Sequence, residues 1–292
     1  MKDIEELKVE EKEKEQRKKT FNGMTAREWT LCSRTVWNDV SSARKSQHLT
    51  HGATYPEKLC DRAITMYSRE GDTVLDPFLG TGTTVISALK NNRLAVGIEL
   101  TEKYFKIASD QIAQNIGLFC NKEPILFNGD CETEIQKLQN NSIQLTLTSP
   151  PYADLIHKVV EDRKLRHKKS KFVEENNATT NIYSDSSLDL GNMALDEYAE
   201  KVERIMRSLF DKTKPGGYNI WVVKDFRDTR NKIPYVNLHG RIIECGEHAG
   251  FLLHDLIIWD QNEQRSLVLL GYPSVFYVNQ NHSYLVVLRK PK

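Results

Sequence analysis

Thr73-Val74-Leu75-Asp76-Pro77-Phe78-Leu79-Gly80-Thr81-Gly82-Thr83-Thr84 runs from a short apolar stretch, through a proline and two glycines, into the helix-forming Val85–Lys90. Arg93–Ile98 then reads as a second strand, with Glu99 at its tip. In an open α/β sheet, ligands bind beyond the carboxyl ends of the strands, where the strand order reverses. Gly80 and Gly82 lie at that edge and remove side chains where a backbone must come close to a ligand. A GxG turn alone is common. Asp76 just before it and Glu99 on the next strand tip make the combination selective, because an acid there can accept the hydroxyls of a ribose. The turn reads GTGTT and not GxGxxG, which favours a nucleoside-like cofactor without a pyrophosphate over a dinucleotide.

Outward from this turn the chain keeps the same rhythm. Pro56–Tyr67 has apolar residues at helical spacing. Lys103–Gln114 is expected to be helical, and Ile125–Asn128 and Ile143–Thr148 read as short strands. Leu195–Leu209 is an amphipathic helix that Lys214-Pro215-Gly216-Gly217 should close with a turn before the strand Tyr218–Val223. A helix over His239–Ala249 and strands over Phe251–Trp259 and His282–Leu288 complete the pattern. Strands alternating with helices predict an α/β fold: a mostly parallel sheet with helices on both faces.

A second motif follows the strand that ends at Leu147. In Thr148-Ser149-Pro150-Pro151-Tyr152 the two prolines fix two φ angles and push Ser149 toward extended backbone. Rigid carbonyls beside an aromatic ring suit a flat heterocycle held by stacking, with its NH2 group hydrogen-bonded. An exocyclic amine is a poor nucleophile because its lone pair is delocalised. Acceptance of its hydrogens by Ser149 Oγ and the Pro150 carbonyl would favour a pyramidal nitrogen, so that positioning supplies much of the rate. A rigid turn or a polyproline ligand is the alternative use of the same residues.

Together these segments resemble the amino-methylating (cytosine-N4 and adenine-N6) DNA methyltransferases. Val74–Thr84 resembles that family's S-adenosylmethionine motif, Gly97-Ile98-Glu99 its acidic second motif, and Ser149–Tyr152 its catalytic motif. His51–Pro56 is similar to the segment that packs beside the methionine end of the cofactor. The resemblance implies a Rossmann-like class I S-adenosylmethionine-dependent methyltransferase fold. It further implies Asp76 near the cofactor amino group, Glu99 on the ribose and Asp130 of Asn128-Gly129-Asp130 near the adenine. Tyr55, Pro56, Phe78, Gly80, Gly82, Thr83 and Thr84 would complete the cofactor site. Ser149, Pro150, Pro151 and Tyr152 would be catalytic, and serine after Thr148 accompanies cytosine N4 in the family rather than adenine N6. Many serine-type members carry the two motifs in the opposite order, so this chain is permuted relative to them. The target base must leave the stack at a cost of about a few kcal/mol, of which stacking on Tyr152 could return about 1–3 kcal/mol.

The remainder bounds the reading. The 292 residues suffice for one large domain, and the net charge is +1; a DNA-binding face then depends on how the charge is distributed. Residues 1–20 alternate acids and bases and are expected to be a solvated helix or a disordered tail, with the methyltransferase domain over 21–292. Residues 154–192 hold Lys158, Arg163, Lys164, Arg166, Lys168 and Lys169. They are the candidate DNA-facing loop, giving salt-dependent phosphate contacts without sequence reading; a solvated loop is the plain alternative. Trp29 and Trp37 are either core or base-contacting. Cys32, Cys60, Cys120, Cys131 and Cys245 form no CxxC pair, so reduced thiols and no metal site are expected. Neither a secretory leader nor a membrane span is recognisable, which points to the cytoplasm. The expected partner is duplex DNA, with sequence choice made by short loops, a second copy in a homodimer or an accessory specificity subunit. The expected setting is DNA methylation of the restriction-modification kind. Rival readings are adenine-N6 methylation of DNA, an RNA base amine, a DNA-binding protein keeping the fold without turnover, and a dinucleotide oxidoreductase.

Overall fold

A computed structural model describes residues 22–40, 55–119, 123–151, 184–228, 233–264 and 276–292. The tail 1–20, His51–Thr54, Tyr152 and the basic residues between 154 and 183 lie outside the described residues. The chain opens with α1 (Ala26–Cys32) and the two-residue β1 (Val36–Trp37), then α2 (Glu57–Tyr67), β2 (Thr73–Asp76), α3 (Thr83–Lys90), β3 (Leu94–Glu99) and α4 (Glu102–Phe119). It continues with β4 (Ile125–Asn128), the short α5 (Cys131–Glu134), β5 (Ile143–Thr148), α6 (Leu195–Lys212) and β6 (Thr213–Val223). The hairpin β7 (Phe226–Asp228) and β8 (Ile233–Val236), α7 (Leu238–His248), β9 (Leu252–Asp260) and β10 (His282–Arg289) complete it.

One 8-stranded sheet has the order β1-β9-β10-β6-β5-β2-β3-β4. Its pairs are parallel except where β10 runs against β6 and β9. From β2 the chain winds through β3 to β4 on one side, and through β5 to β6 on the other. The order therefore reverses between β2 and β5, and the carboxyl ends of those two strands flank the crevice where such folds bind ligands. This is the Rossmann-like arrangement with one antiparallel strand, β10, between β6 and β9.

Alternation along the strands supplies a core on each face. On β6, Tyr218, Ile220 and Val222 face one core, with α2 and α3, and Trp221 and Val223 face the other, with α6 and α7. Leu59, Ala63, Ile64, Met66 and Tyr67 make the buried stripe of α2; Tyr198, Val202, Ile205, Met206 and Leu209 make that of α6. Trp37 is fully buried, whereas Trp29 is 43% exposed, so only the first of the two belongs to the core.

Lys214-Pro215-Gly216-Gly217 turns within a strand and not ahead of it, since Thr213 and Tyr218 on either side already pair with Ile143 and Leu145. Helix α6 runs on to Lys212, and β6 begins at Thr213 and passes through these residues. Gly216 has φ 79°, and the pairing with β5 shifts register between Ile143 and Leu145. A Cβ on Gly217 would come within 2.9 Å of the Lys214 carbonyl and 3.0 Å of the Gln144 carbonyl. The glycines thus form a kink inside a strand, where two backbones approach too closely for any side chain.

Candidate active site at the switch point

Beyond β2, β3, β4 and β5 lies a cleft of about 930 Å³, counting the part open to solvent. Its walls include Tyr55, Asp76, Phe78, Gly80, Thr83, Thr84, Glu99, Asp130, Ser149 and Pro151. The fold thus brings most of the expected site residues together from separate strand tips. Three expected residues take structural places instead of lining it. Pro56 is the N-cap of α2, Gly82 is the N-cap of α3 with φ 87°, and Pro150 is buried behind its neighbours. A Cβ on Gly82 would meet Ile112 at 3.1 Å, so this glycine serves helix packing.

Asp76, 2% exposed, organises the floor. Its Oδ1 accepts from Thr148 Oγ1 at 2.6 Å and from the Phe78 amide at 3.1 Å. Its Oδ2 accepts from Thr84 Oγ1 at 2.6 Å and lies 3.3 Å from the Tyr55 hydroxyl, which also meets Thr84 Oγ1. Burial pushes the Asp76 carboxyl above the ordinary range, while the Thr148 and Thr84 hydroxyls pull it back. Burial likewise drives the Tyr55 hydroxyl well up, so it is held neutral as a donor. Through Thr148 the carboxylate ties β2 to the residue immediately before Ser149-Pro150-Pro151.

Glu99 stands at the next tip. Its Oε2 accepts from the Gly80 amide at 2.9 Å, and its Oε1 accepts from the Thr101 amide and hydroxyl at 3.0 and 2.7 Å. Burial raises this carboxyl too, against the Thr101 and Gly80 hydrogen bonds. A carboxylate has about four acceptor positions. Oε2 keeps one toward the cleft, and rotation of the Thr101 hydroxyl would release a second. Those two acceptor positions suit the paired hydroxyls of a ribose, which would donate to them. Gly80 has φ 54°, and a Cβ there would meet nothing nearer than the Phe78 carbonyl at 3.9 Å, leaving its backbone open to an occupant.

The far wall holds residues that the sequence reading missed. Lys201 on α6 is 3% exposed; its Nζ donates to Asp130 Oδ1 and to the Leu188 carbonyl, both at 2.8 Å. Leu188, Asp189 and Tyr104 line the same cleft. The signal was present: a lysine interrupts the apolar stripe of α6, and a buried lysine is almost always paired. The same carboxyl edge also holds a cluster past β6. There Asp225 accepts from the Tyr235 hydroxyl at 2.6 Å and its Oδ2 meets His239 Nδ1 at 2.8 Å. His239 in turn stacks on Tyr284 with ring centroids 4.0 Å apart.

Among the described residues no group of His, Cys, Asp or Glu could hold a metal ion, and no helix is long and apolar enough to cross a membrane. Cys32, Cys60, Cys131 and Cys245 are free thiols.

Residues 2–110 match the DNA methylase family of N6 and N4 methyltransferases, a span that ends before Thr148. The chain is 36% identical over 119 residues to the type II methyltransferase M.MthZI of Methanothermobacter thermautotrophicus, covering 39% of this chain and 32% of that protein. It is 44% identical over 85 residues to the orphan methyltransferase M.BamHII of Bacillus amyloliquefaciens, covering 28% of this chain and 32% of that protein. The chain thus matches about a third of the length of these relatives. A SAM-dependent methyltransferase of Methanosarcina mazei, of solved structure, covers 78% of this chain and 97% of its own at 12% identity and TM-score 0.45; the fold is read instead from the strand order above. Over these stretches the chain is thus similar to the amino-methylating (N6/N4) DNA methyltransferases.

Proposed function

We propose that this chain transfers a methyl group from S-adenosylmethionine to an exocyclic amino group of a base in DNA, cytosine N4 in particular. The observation that carries the reading is the 2.6 Å hydrogen bond between Thr148 and Asp76. It locks the cofactor-type floor to the Ser149-Pro150-Pro151 segment across the switch point. When bound, the cofactor supplies an electrophilic methyl group. Glu99 Oε2 and the bare backbone at Gly80 would hold its ribose, Asp130 its purine, and the Asp76–Tyr55–Thr84 group its amino-acid end.

The chain's own part is orientation. Ser149 Oγ, on the cleft wall, would accept an amine hydrogen and turn the nitrogen lone pair toward the cleft, while the buried Pro150 beside it fixes the backbone that carries Ser149. The prolines hold that geometry without a reorganisation cost at the moment of reaction. Tyr152 would stack on the flipped base, and Lys158, Arg163, Lys164, Arg166, Lys168 and Lys169 would neutralise phosphates. Serine at position 149 is what favours cytosine N4 over adenine N6.

The test is incubation with mixed-sequence duplex DNA and cofactor bearing a deuterated methyl group, followed by nucleoside mass spectrometry. Labelled N4-methylcytosine is the expected product. Labelled N6-methyladenine would retain the reaction and reverse the base assignment. No labelled nucleoside from DNA, with cofactor bound in calorimetry, would overturn the reaction.

A further inference from the structure

Lys201 faces the core on α6 beside Tyr198, Val202 and Ile205, yet its ammonium reaches the cleft. It bridges two separate walls. One is Asp130, the residue just ahead of α5. The other is the Leu188 carbonyl, part of a turn in which Asp189 accepts from Ser184 Oγ at 2.8 Å and from the Gly191 amide at 2.8 Å. Lys201 holds Oδ1 of Asp130 at 2.8 Å, and Oδ2 has no partner among the described residues.

We propose that Lys201 is a positioning residue that makes the cofactor pocket select a 6-amino purine over a 6-oxo purine. Clamped at Oδ1, Asp130 presents Oδ2 as a fixed acceptor for an exocyclic amino group. A 6-oxo purine would set a carbonyl oxygen against that carboxylate, leaving two acceptors face to face. Selectivity then comes from a repulsive contact as well as an attractive one. The Leu188 contact gives the same lysine a second duty, which is to hold the apolar lip of the pocket against the purine side. This rests on the methyltransferase reading above.

The experiment is calorimetric binding of S-adenosylhomocysteine and of its S-inosyl counterpart, in which oxygen replaces the 6-amino group. The unaltered protein should prefer the adenosyl compound by about 100-fold. Lys201→Met should bring that ratio to within about 10-fold, mainly by weakening the adenosyl compound, and Lys201→Arg should restore part of it. A general loss of stability cancels from the ratio, because both ligands are measured on one variant. Should the methionine variant fail to fold, Lys201→Gln carries the same comparison. If Asp130→Asn lowers the ratio while the Lys201 variants keep it, Lys201 is structural and the proposal is overturned. If the unaltered protein binds the adenosyl compound without preference over the inosyl one, the proposal falls and the cofactor reading stands. Binding of neither compound overturns both.

Discussion

Hydroxyl groups from three segments crowd around Asp76, and its carboxylate is ionised only at a cost, because burial sets its pKa above the ordinary range. The folded protein therefore keeps this proton to a higher pH than the unfolded chain does. The corresponding stabilisation is complete below the unfolded carboxylate pKa and is lost as pH rises through the folded value. Urea denaturation of the protein and of Asp76→Asn, at intervals from pH 4 to pH 7, should show the protein losing stability relative to the variant over that window. A difference that grows with pH would contradict the burial argument. Ser149→Ala is expected to lower kcat by about 100-fold with the cofactor Kd unchanged in calorimetry; equal loss in both would make Ser149 a cofactor residue. Gly80→Ala adds a Cβ where only the Phe78 carbonyl lies within 4 Å, in backbone of positive φ. It should cost about 1–2 kcal/mol in stability and weaken cofactor binding, both measurable on one preparation. Asp76, Glu99 and Ser149 were legible because each adjoins a strand end or glycine turn that marks its place. Lys201 showed itself only as a break in the apolar stripe of α6; its partners, 71 residues away at Asp130 and 13 away at Leu188, lie at distances that no local pattern spans.

Among the elements, the short apolar runs at 73–76, 125–128 and 143–148 became strands as their composition required. Lys214–Gly217 does turn, as proline and paired glycines ordinarily do, but inside β6, because Thr213 already pairs with Ile143. Here tertiary proximity to Gln144 makes the glycines part of a strand. Two substitutions separate the causes. Gly217→Ala would force apart two backbones and should destabilise by about 3 kcal/mol. Gly71→Ala, at φ 82° with nothing within 4 Å, should cost only the strain of positive φ, about 1–2 kcal/mol. Equal losses in denaturant titrations would refute the close-approach account. Helix α1 was missed even though Thr25 and Glu28 form a capping box, because none of its residues is buried and so no apolar stripe announces it. The β7–β8 hairpin was missed for a similar reason: Ile233-Pro234-Tyr235 stands exposed on it, and the proline hides the strand pattern.

At the scale of the molecule, two apolar cores share one sheet as their common wall, so neither layer can melt and leave the other intact. Unfolding followed by tryptophan fluorescence and by far-ultraviolet circular dichroism should give coincident single transitions. S-Adenosylhomocysteine at a hundred times its Kd should raise the unfolding free energy by about 2.7 kcal/mol; no shift would mean that the cleft does not bind it. The parallel pairing of Val74 with Leu145 and Leu75 with Thr146 has a further consequence. The glycine turn and the proline pair meet side by side through the sheet, not by succession along the backbone. Which of them is translated first is immaterial to the pocket, so recombination that transposes the two coding blocks leaves the same chemistry assembled at the same seam.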